Sequence, residues 1–248
     1  DGSHIRHVPA PDSYRPLGGE GGAAHAQAFA AAVRAAIDDL EASGHGFAGI
    51  ILCPAFLNEG FPMLEPGWLE PALAEVRTAG GIFIADEVQP GFGRNGERFW
   101  GHQRIGARPD VVTMGKPMGN GHPVAAVVSR PDIMAAFRKS FRYFNTFGAH
   151  PVSCAAASAV LDVIATEGLQ ENARVVGAHA KAGLSRLAEK YEWIGDVRGY
   201  GLFFGAEIVT DRATKAPAPA YVARVANEMR RRGVLLNRLG IHYNTLKI

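Results

Sequence analysis

Cysteine is scarce: Cys53 and Cys154 stand far apart, and neither has a CxxC partner. That excludes a disulfide framework and leaves no thiol pair at metal-ligand spacing, so a reduced, cytoplasmic setting is the expectation. Long apolar runs are missing too. None approaches the roughly 18 residues of a membrane span, and the start has no signal-peptide core, so no membrane partner is expected. Charge of one sign is not in excess, since 26 basic and 24 acidic residues leave a net charge of +2. The one basic run, Arg230-Arg-Arg232, falls in a helical pattern and reads as a solvated face, which leaves no footprint for nucleic acid. No G-x-G-x-x-G opens a helix after the first strand and no G-x-x-x-x-G-K-[ST] occurs. Gly91-Phe-Gly93 lacks its third glycine, and a nucleotide-binding Rossmann reading fails. His4 and His7 have no third ligand, so no metal is expected, and no internal repeat is visible.

What is present is a chain of 248 residues, 47% hydrophobic and 20% charged, which can bury a sizeable core. After an irregular opening rich in proline and glycine, Phe29, Val33, Ile37 and Leu40 at helical spacing predict a helix over 23–43, stopped by Gly44. A buried strand over 47–52, a helix over 67–79 and a strand ending at Asp86 follow. Beyond them come a short strand before Lys116, a strand over 124–128 and a helix from Pro131 to near Lys139. An alanine-rich helix over 152–166 is expected to pack tightly, and a long helix with breaks runs over 168–191. Alternating strands and helices predict an α/β fold with a mainly parallel sheet flanked by helices. From residue 194 the texture changes to glycine-punctuated strand, then a helix over 218–232, then an apolar Val234-Leu-Leu. This predicts a large domain over 1–166 and a smaller α+β domain over 167–248.

Two stretches carry chemistry. Gly80-Gly-Ile-Phe-Ile-Ala-Asp86 reads as a strand covered on both faces with a carboxylate at its carboxyl end. Pro109-Asp-Val-Val-Thr-Met-Gly-Lys116 places an ammonium after a short strand, in a glycine-rich turn. Taken singly, the aspartate is more often a turn or cap residue and the lysine a surface amine. At neighbouring strand ends of an open α/β sheet, where ligands collect, they suit a pyridoxal phosphate site. That cofactor needs a lysine amine for its Schiff base and a carboxylate to keep its ring nitrogen protonated.

The run Ile84-Ala-Asp86-Glu-Val88-Gln89-Pro-Gly-Phe-Gly-Arg94, then Phe99-Trp100, Lys116-Pro-Met-Gly-Asn-Gly-His-Pro123, Phe144-Asn-Thr146-Phe-Gly and Gly195-Asp-Val-Arg-Gly-Tyr-Gly-Leu resembles class III pyridoxal-phosphate-dependent aminotransferases of fold type I. The resemblance covers nearly all of the chain. It implies that Lys116 is the Schiff-base lysine and the base that moves the substrate's Cα proton, and that Asp86 holds the pyridinium nitrogen. Val88 would pack on one face of the ring, and Gln89 would bond the phenolic oxygen. Thr146 would bind the cofactor phosphate of a neighbouring subunit, which implies a homodimer with a shared site.

Departures accompany the likeness. Cys53-Pro54 stands where these enzymes commonly carry Glu-Pro, and that Glu often pairs with an arginine that switches between substrates. Gly148-Ala-His150-Pro replaces a common Gly-Gly-Asn-Pro, leaving His150 as either a turn residue or an extra polar group near the phosphate. Family members are longer, so an earlier segment with a phosphate-binding turn and a later tail are expected outside this stretch. The Lys116 and Thr146 blocks look closest to the alanine–glyoxylate-type branch and its phospholyase relatives. Transamination between an amino acid or amine and a 2-oxo acid is the expected activity. Elimination of phosphate and ammonia from a phosphorylated amino alcohol such as phosphoethanolamine is the alternative, and a scaffold that keeps only the fold is disfavoured by the intact Asp86, Gln89, Lys116 and Thr146.

Overall fold

The spacing of Phe29, Val33 and Ile37 wraps one apolar stripe around α1 (Gly22–Ala42), and the stripe is buried. The computed structural model describes residues 2–248. Strand β1 (Gly49–Leu52), helix α2 (Glu70–Thr78) and strand β2 (Ile82–Asp86) follow α1. Next come the one-turn helix α3 (Gly101–Ile105), strand β3 (Val111–Met114), a 3₁₀ turn over Lys116–Gly119 and strand β4 (Ala126–Ser129). Order in the sheet is β1-β2-β3-β4; the first three strands are parallel, and β4 returns antiparallel on β3. The α1 stripe and Leu69, Leu73 and Val76 of α2 pack together over Phe83 and Ala85 of the sheet.

Helix covers one face only, which corrects the expectation of a strand enclosed on both sides. Along β2, Phe83 and Ala85 are buried while Ile82, Ile84 and Asp86 are half-buried, the period-2 pattern of a strand with one covered face. On the open side Ile51 and Val127 are more than half exposed. The same holds beyond the sheet. Helix α4 (Pro131–Ser140) and helix α5 (Pro151–Thr166) bury no residue, so the alanine-rich α5 does not pack tightly as its composition suggested. Small side chains permit close approach, but α5 meets mainly the Lys116 turn and its successor helix, and nothing among the described residues covers its outer face.

The remainder builds a second, antiparallel sheet. Helix α6 (Leu169–Lys190) runs unbroken into β5 (Ile194–Tyr200) and β6 (Phe203–Asp211). Then follow β7 (Ala216–Pro217), helix α7 (Pro219–Arg231), β8 (Asn237–Leu239) and β9 (Thr245–Lys247). The order is β5-β6-β9-β8, with β7 beside β6. The apolar Val234-Leu-Leu run is not itself a strand; the backbone enters the sheet at Asn237, after the turn around Gly233.

A buried ion network fastens this sheet to the first unit. Arg198 on β5 is 3% exposed, donates from Nε to the Gly60 carbonyl and pairs with Asp196 and Glu207. Glu207 on β6 also meets Arg15 and accepts from Asn244 Nδ2 at 3.1 Å. Every charge in this cluster has a partner, the condition under which buried ions are tolerated. Gly60 needs to be glycine here: its φ is +109°, and an added Cβ would lie 2.9 Å from Arg198 Nη2.

Candidate active site

Parallel pairing of β2 and β3 sets Asp86 opposite Thr113, so the carboxylate and the turn that begins at Lys116 leave the sheet side by side. Asp86 Oδ1 accepts the Val88 N–H at 3.0 Å, which fixes the carboxylate and leaves its second oxygen free of any hydrogen bond among the described residues. Alternation then separates two neighbouring acids. Glu87 points to the covered side, fully buried, and accepts from the N–H groups of Gly101 at 2.9 Å and His102 at 2.7 Å and from His102 Nδ1 at 2.8 Å. A carboxylate at the start of α3 with three such donors anchors the strand end, while Asp86 on the open side stays available.

Lys116 has a φ of +26°, in the left-handed region that costs a residue with a side chain. The turn is pinned by the Met118 N–H to the Gly115 carbonyl at 2.8 Å and, through the loop after it, by His122 Nε2 against Ser153 Oγ at 2.9 Å. Val88 adjoins this turn: a Cβ built on Gly115 would lie 3.8 Å from Val88 Cγ1.

Lys116 and Gln89 open into one cavity of about 590 Å³, lined also by Asn58, Arg94, Arg238 and Lys247. Gln89 Nε2 donates to Asn58 Oδ1 at 3.2 Å. Asn58 was not visible in the sequence, since it lies in an irregular loop held from the second sheet through Gly240 N–H to its carbonyl at 3.0 Å. Arg94 and Lys247 were missed as well; one follows β2 and the other ends β9, and only tertiary structure brings them together.

Burial shapes the titrating groups around the strand ends. Cys53, just past β1, has its thiol pushed up to about 11 by burial, with the nearby Glu59 and Asp86 charges adding to the effect. Glu59 is raised for the same first reason, then by Asp86. Lys247 is lowered, first by burial and then by repulsion from Arg94 and Lys116.

Of the residues marked in the sequence, Asp86, Val88, Gln89 and Lys116 come together. Thr146 does not: it is exposed in the turn before α5 and does not line the cavity. His150 lies at the α5 N-terminus, where its carbonyl accepts the Cys154 N–H at 3.0 Å, a local capping position away from the cavity.

Residues 3–248 match the Aminotransferase class-III family. The chain is 43% identical over 245 residues to an alanine–glyoxylate aminotransferase 2 homologue of Arabidopsis thaliana, covering 98% of this chain and 50% of that protein. It is 41% identical over 220 residues to ethanolamine-phosphate phospho-lyase homolog 1 of Caenorhabditis elegans, covering 87% of this chain and 47% of the relative. Among solved structures, a phospholyase from Arthrobacter in complex with phosphoethanolamine superposes with a TM-score of 0.91 at 41% identity, over 100% of this chain and 58% of that one. The chain thus spans about half the length of the curated relatives it matches. With the match running through both sheets and across every strand end described above, the chain belongs to the class-III aminotransferases.

Proposed function

We propose that the chain carries the lysine side of a pyridoxal phosphate site and serves transamination between an amino acid or amine and a 2-oxo acid. One observation carries this: adjacent parallel strands deliver a carboxylate and a lysine to neighbouring ends, with Gln89 and Lys116 opening into one cavity. The donor set fits the cofactor. Asp86 retains an unpaired oxygen for the ring N–H, Val88 offers a stiff branched surface beside the Lys116 turn, and Gln89 presents an amide for the phenolic oxygen. When bound, pyridoxal phosphate supplies an electron sink for negative charge at the substrate's Cα. Lys116 Nζ then moves the proton on and off that carbon, and Asp86 keeps the ring nitrogen protonated through a charge-assisted hydrogen bond worth about 1.5–3 kcal/mol.

Residues 1–166 form the cofactor-binding part and 167–248 the smaller domain in this reading, and the functional unit is a homodimer. Thr146 supports the last point, because its exposed turn offers it to another copy rather than to its own cavity. Elimination is the second reading, favoured by Cys53. A thiol held neutral by burial at this strand end does not hold an arginine as a carboxylate does, which weakens a two-substrate switch.

Borohydride reduction of the cofactor-loaded protein followed by peptide mapping tests the site, with the adduct expected on Lys116. An adduct elsewhere overturns the assignment. Alanine with a 2-oxo acid should yield pyruvate; free phosphate from phosphoethanolamine without pyruvate would replace transamination by elimination.

A further inference from the structure

A second cavity, against the start of α1, takes no part in the chemistry proposed for Lys116. Its volume is about 560 Å³, within the roughly 300–1,000 Å³ of small-molecule sites, and it shares no lining residue with the Lys116 cavity. Two helix N-termini open into it. Gly21 and Gly22 bring the first turn of α1, which has neither a side-chain cap nor an acid. Gly67, Trp68 and Pro71 bring the start of α2, where Leu69 supplies no side-chain cap and the first-turn acid, Glu70, accepts from Arg77 at 2.7 Å. Backbone N–H groups of a first turn have no partner inside their own helix, and each terminus carries roughly half a positive charge.

Buried side chains add to these donors. His25 is 2% exposed and Trp68 6%, both line the cavity, and neither His25 Nε2 nor Trp68 Nε1 has a hydrogen-bond partner among the described residues. Their rings meet edge to face with centres 4.9 Å apart. Such a pair can rest one N–H on the face of the other ring but not both, so at least one buried nitrogen is left over. The indole nitrogen only donates, and what satisfies it is an acceptor oxygen. Burial lowers His25 against the pull of Asp12, so its imidazole is neutral at neutral pH and adds no charge.

We propose that this cavity binds a small monocarboxylic acid with an apolar body. Its carboxylate sits at the α1 N-terminus and accepts from Trp68 Nε1, and its hydrocarbon lies on Met63, Pro66 and Pro71. Charge selects the ligand. The two N-termini sum to about one positive charge, no lysine or arginine among the described residues lines the cavity, and the exposed Glu65 stands in its wall. That suits a single negative charge and disfavours a phosphate monoester of about −1.5 to −2. There is room for the ligand, since a Cβ built on Gly21, Gly22 or Gly67 meets nothing within 4 Å. Nothing in this assignment depends on the role proposed for Lys116 and Gln89.

Calorimetry on protein first treated with pyridoxal phosphate and borohydride, with benzoate, benzamide and inorganic phosphate as probes at constant ionic strength, tests the site. Benzoate should bind wild type at least about tenfold more tightly than benzamide or phosphate does. Gly21→Asp sets a permanent carboxylate over the α1 N-terminus. Gly21 has φ −82° and ψ −172°, which aspartate adopts without strain, so this variant should keep or raise the thermal midpoint while losing at least about tenfold in benzoate affinity. Trp68→Phe keeps a ring, removes the donor and should lose benzoate by a similar factor, with circular dichroism confirming the fold; if it does not fold, Gly21→Asp decides alone. Benzoate affinity unchanged in either folded variant overturns the proposal, as does no benzoate binding to wild type. Equal binding of benzamide also overturns it, since the cavity would then take apolar bodies whatever their charge. So does phosphate binding as tight as that of benzoate, which would make this a phosphate site.

Discussion

Cys53 is the residue whose chemistry the fold changes most plainly. It sits one position beyond β1, packed against Ala55, Leu57, Phe61 and Tyr200, and burial pushes its thiol from an ordinary 9.0 to about 11. At neutral pH it is a small apolar side chain rather than a nucleophile. Alkylation of Cys53 by iodoacetamide, followed by mass spectrometry, should be slow at pH 7.5 and rise about tenfold per pH unit until about 11. Rapid labelling at neutral pH would show instead that Lys247 stabilises the thiolate. The same shift fixes a stability term. Because the folded value lies above the unfolded one, the native state holds this proton more tightly. The contribution is complete below about 9 and is lost as pH rises toward about 11. A Cys53→Ser variant should therefore lose less stability over that alkaline window than wild type does.

At the scale of elements, helix α6 shows what the sequence can and cannot disclose. Its existence was legible from a long periodic run, but its unbroken course was not, because Gly177 and Gly183 look alike on paper as possible breaks. The structure separates them. A Cβ on Gly177 would fall 1.8 Å from the Gly201 carbonyl oxygen, where α6 lies directly on the β5–β6 turn, whereas at Gly183 the nearest atom is a flexible Arg186 Nη2 at 3.7 Å. Gly177→Ala should destabilise by about 1–3 kcal/mol or more, since backbone cannot yield as a side chain does. Gly183→Ala should be neutral or stabilising by up to about 1 kcal/mol through helix propensity. Urea unfolding of the two variants measures both, and equal effects would mean that the α6 contact with the turn is not tight in solution. The strands ending at Asp86 and near Lys116 were legible for a related reason: each apolar run stops at a polar group no strand interior tolerates. The pair β8 and β9 was not, since three residues are too few to show a period. Nor was the open face of β2, because Ile82 and Ile84 look as apolar as the buried Phe83. Lys247, Arg94 and Asn58 could not be read as neighbours from spacing at all; their meeting depends on how the second sheet closes over the first.

For the molecule as a whole, the distribution of apolar surface bears on the proposed homodimer. Phe144 is 83% exposed, Phe147 80% and Tyr143 67%, all in the turn that carries Thr146, and the open side of the sheet exposes Ile51 and Val127. Clustered exposed aromatic side chains of this kind mark a contact surface. If a second copy covers it, each Thr146 is presented to the partner, and the two sites are built from both chains. Complementation tests this without requiring the interface to be mapped. Lys116→Ala and Thr146→Ala proteins, each defective in holding the cofactor, are mixed under conditions that allow subunits to exchange. In a mixed dimer with shared sites, one site collects both defects and the other collects none. Random exchange should then restore about a quarter of all sites, seen as visible absorbance of lysine-bound cofactor that neither parent shows. With sites built within one chain, every site in the mixture keeps one defect and no band returns. Recovery would place Thr146 across the interface; its absence would confine the site to a single chain and remove the reason for Thr146 to face outward.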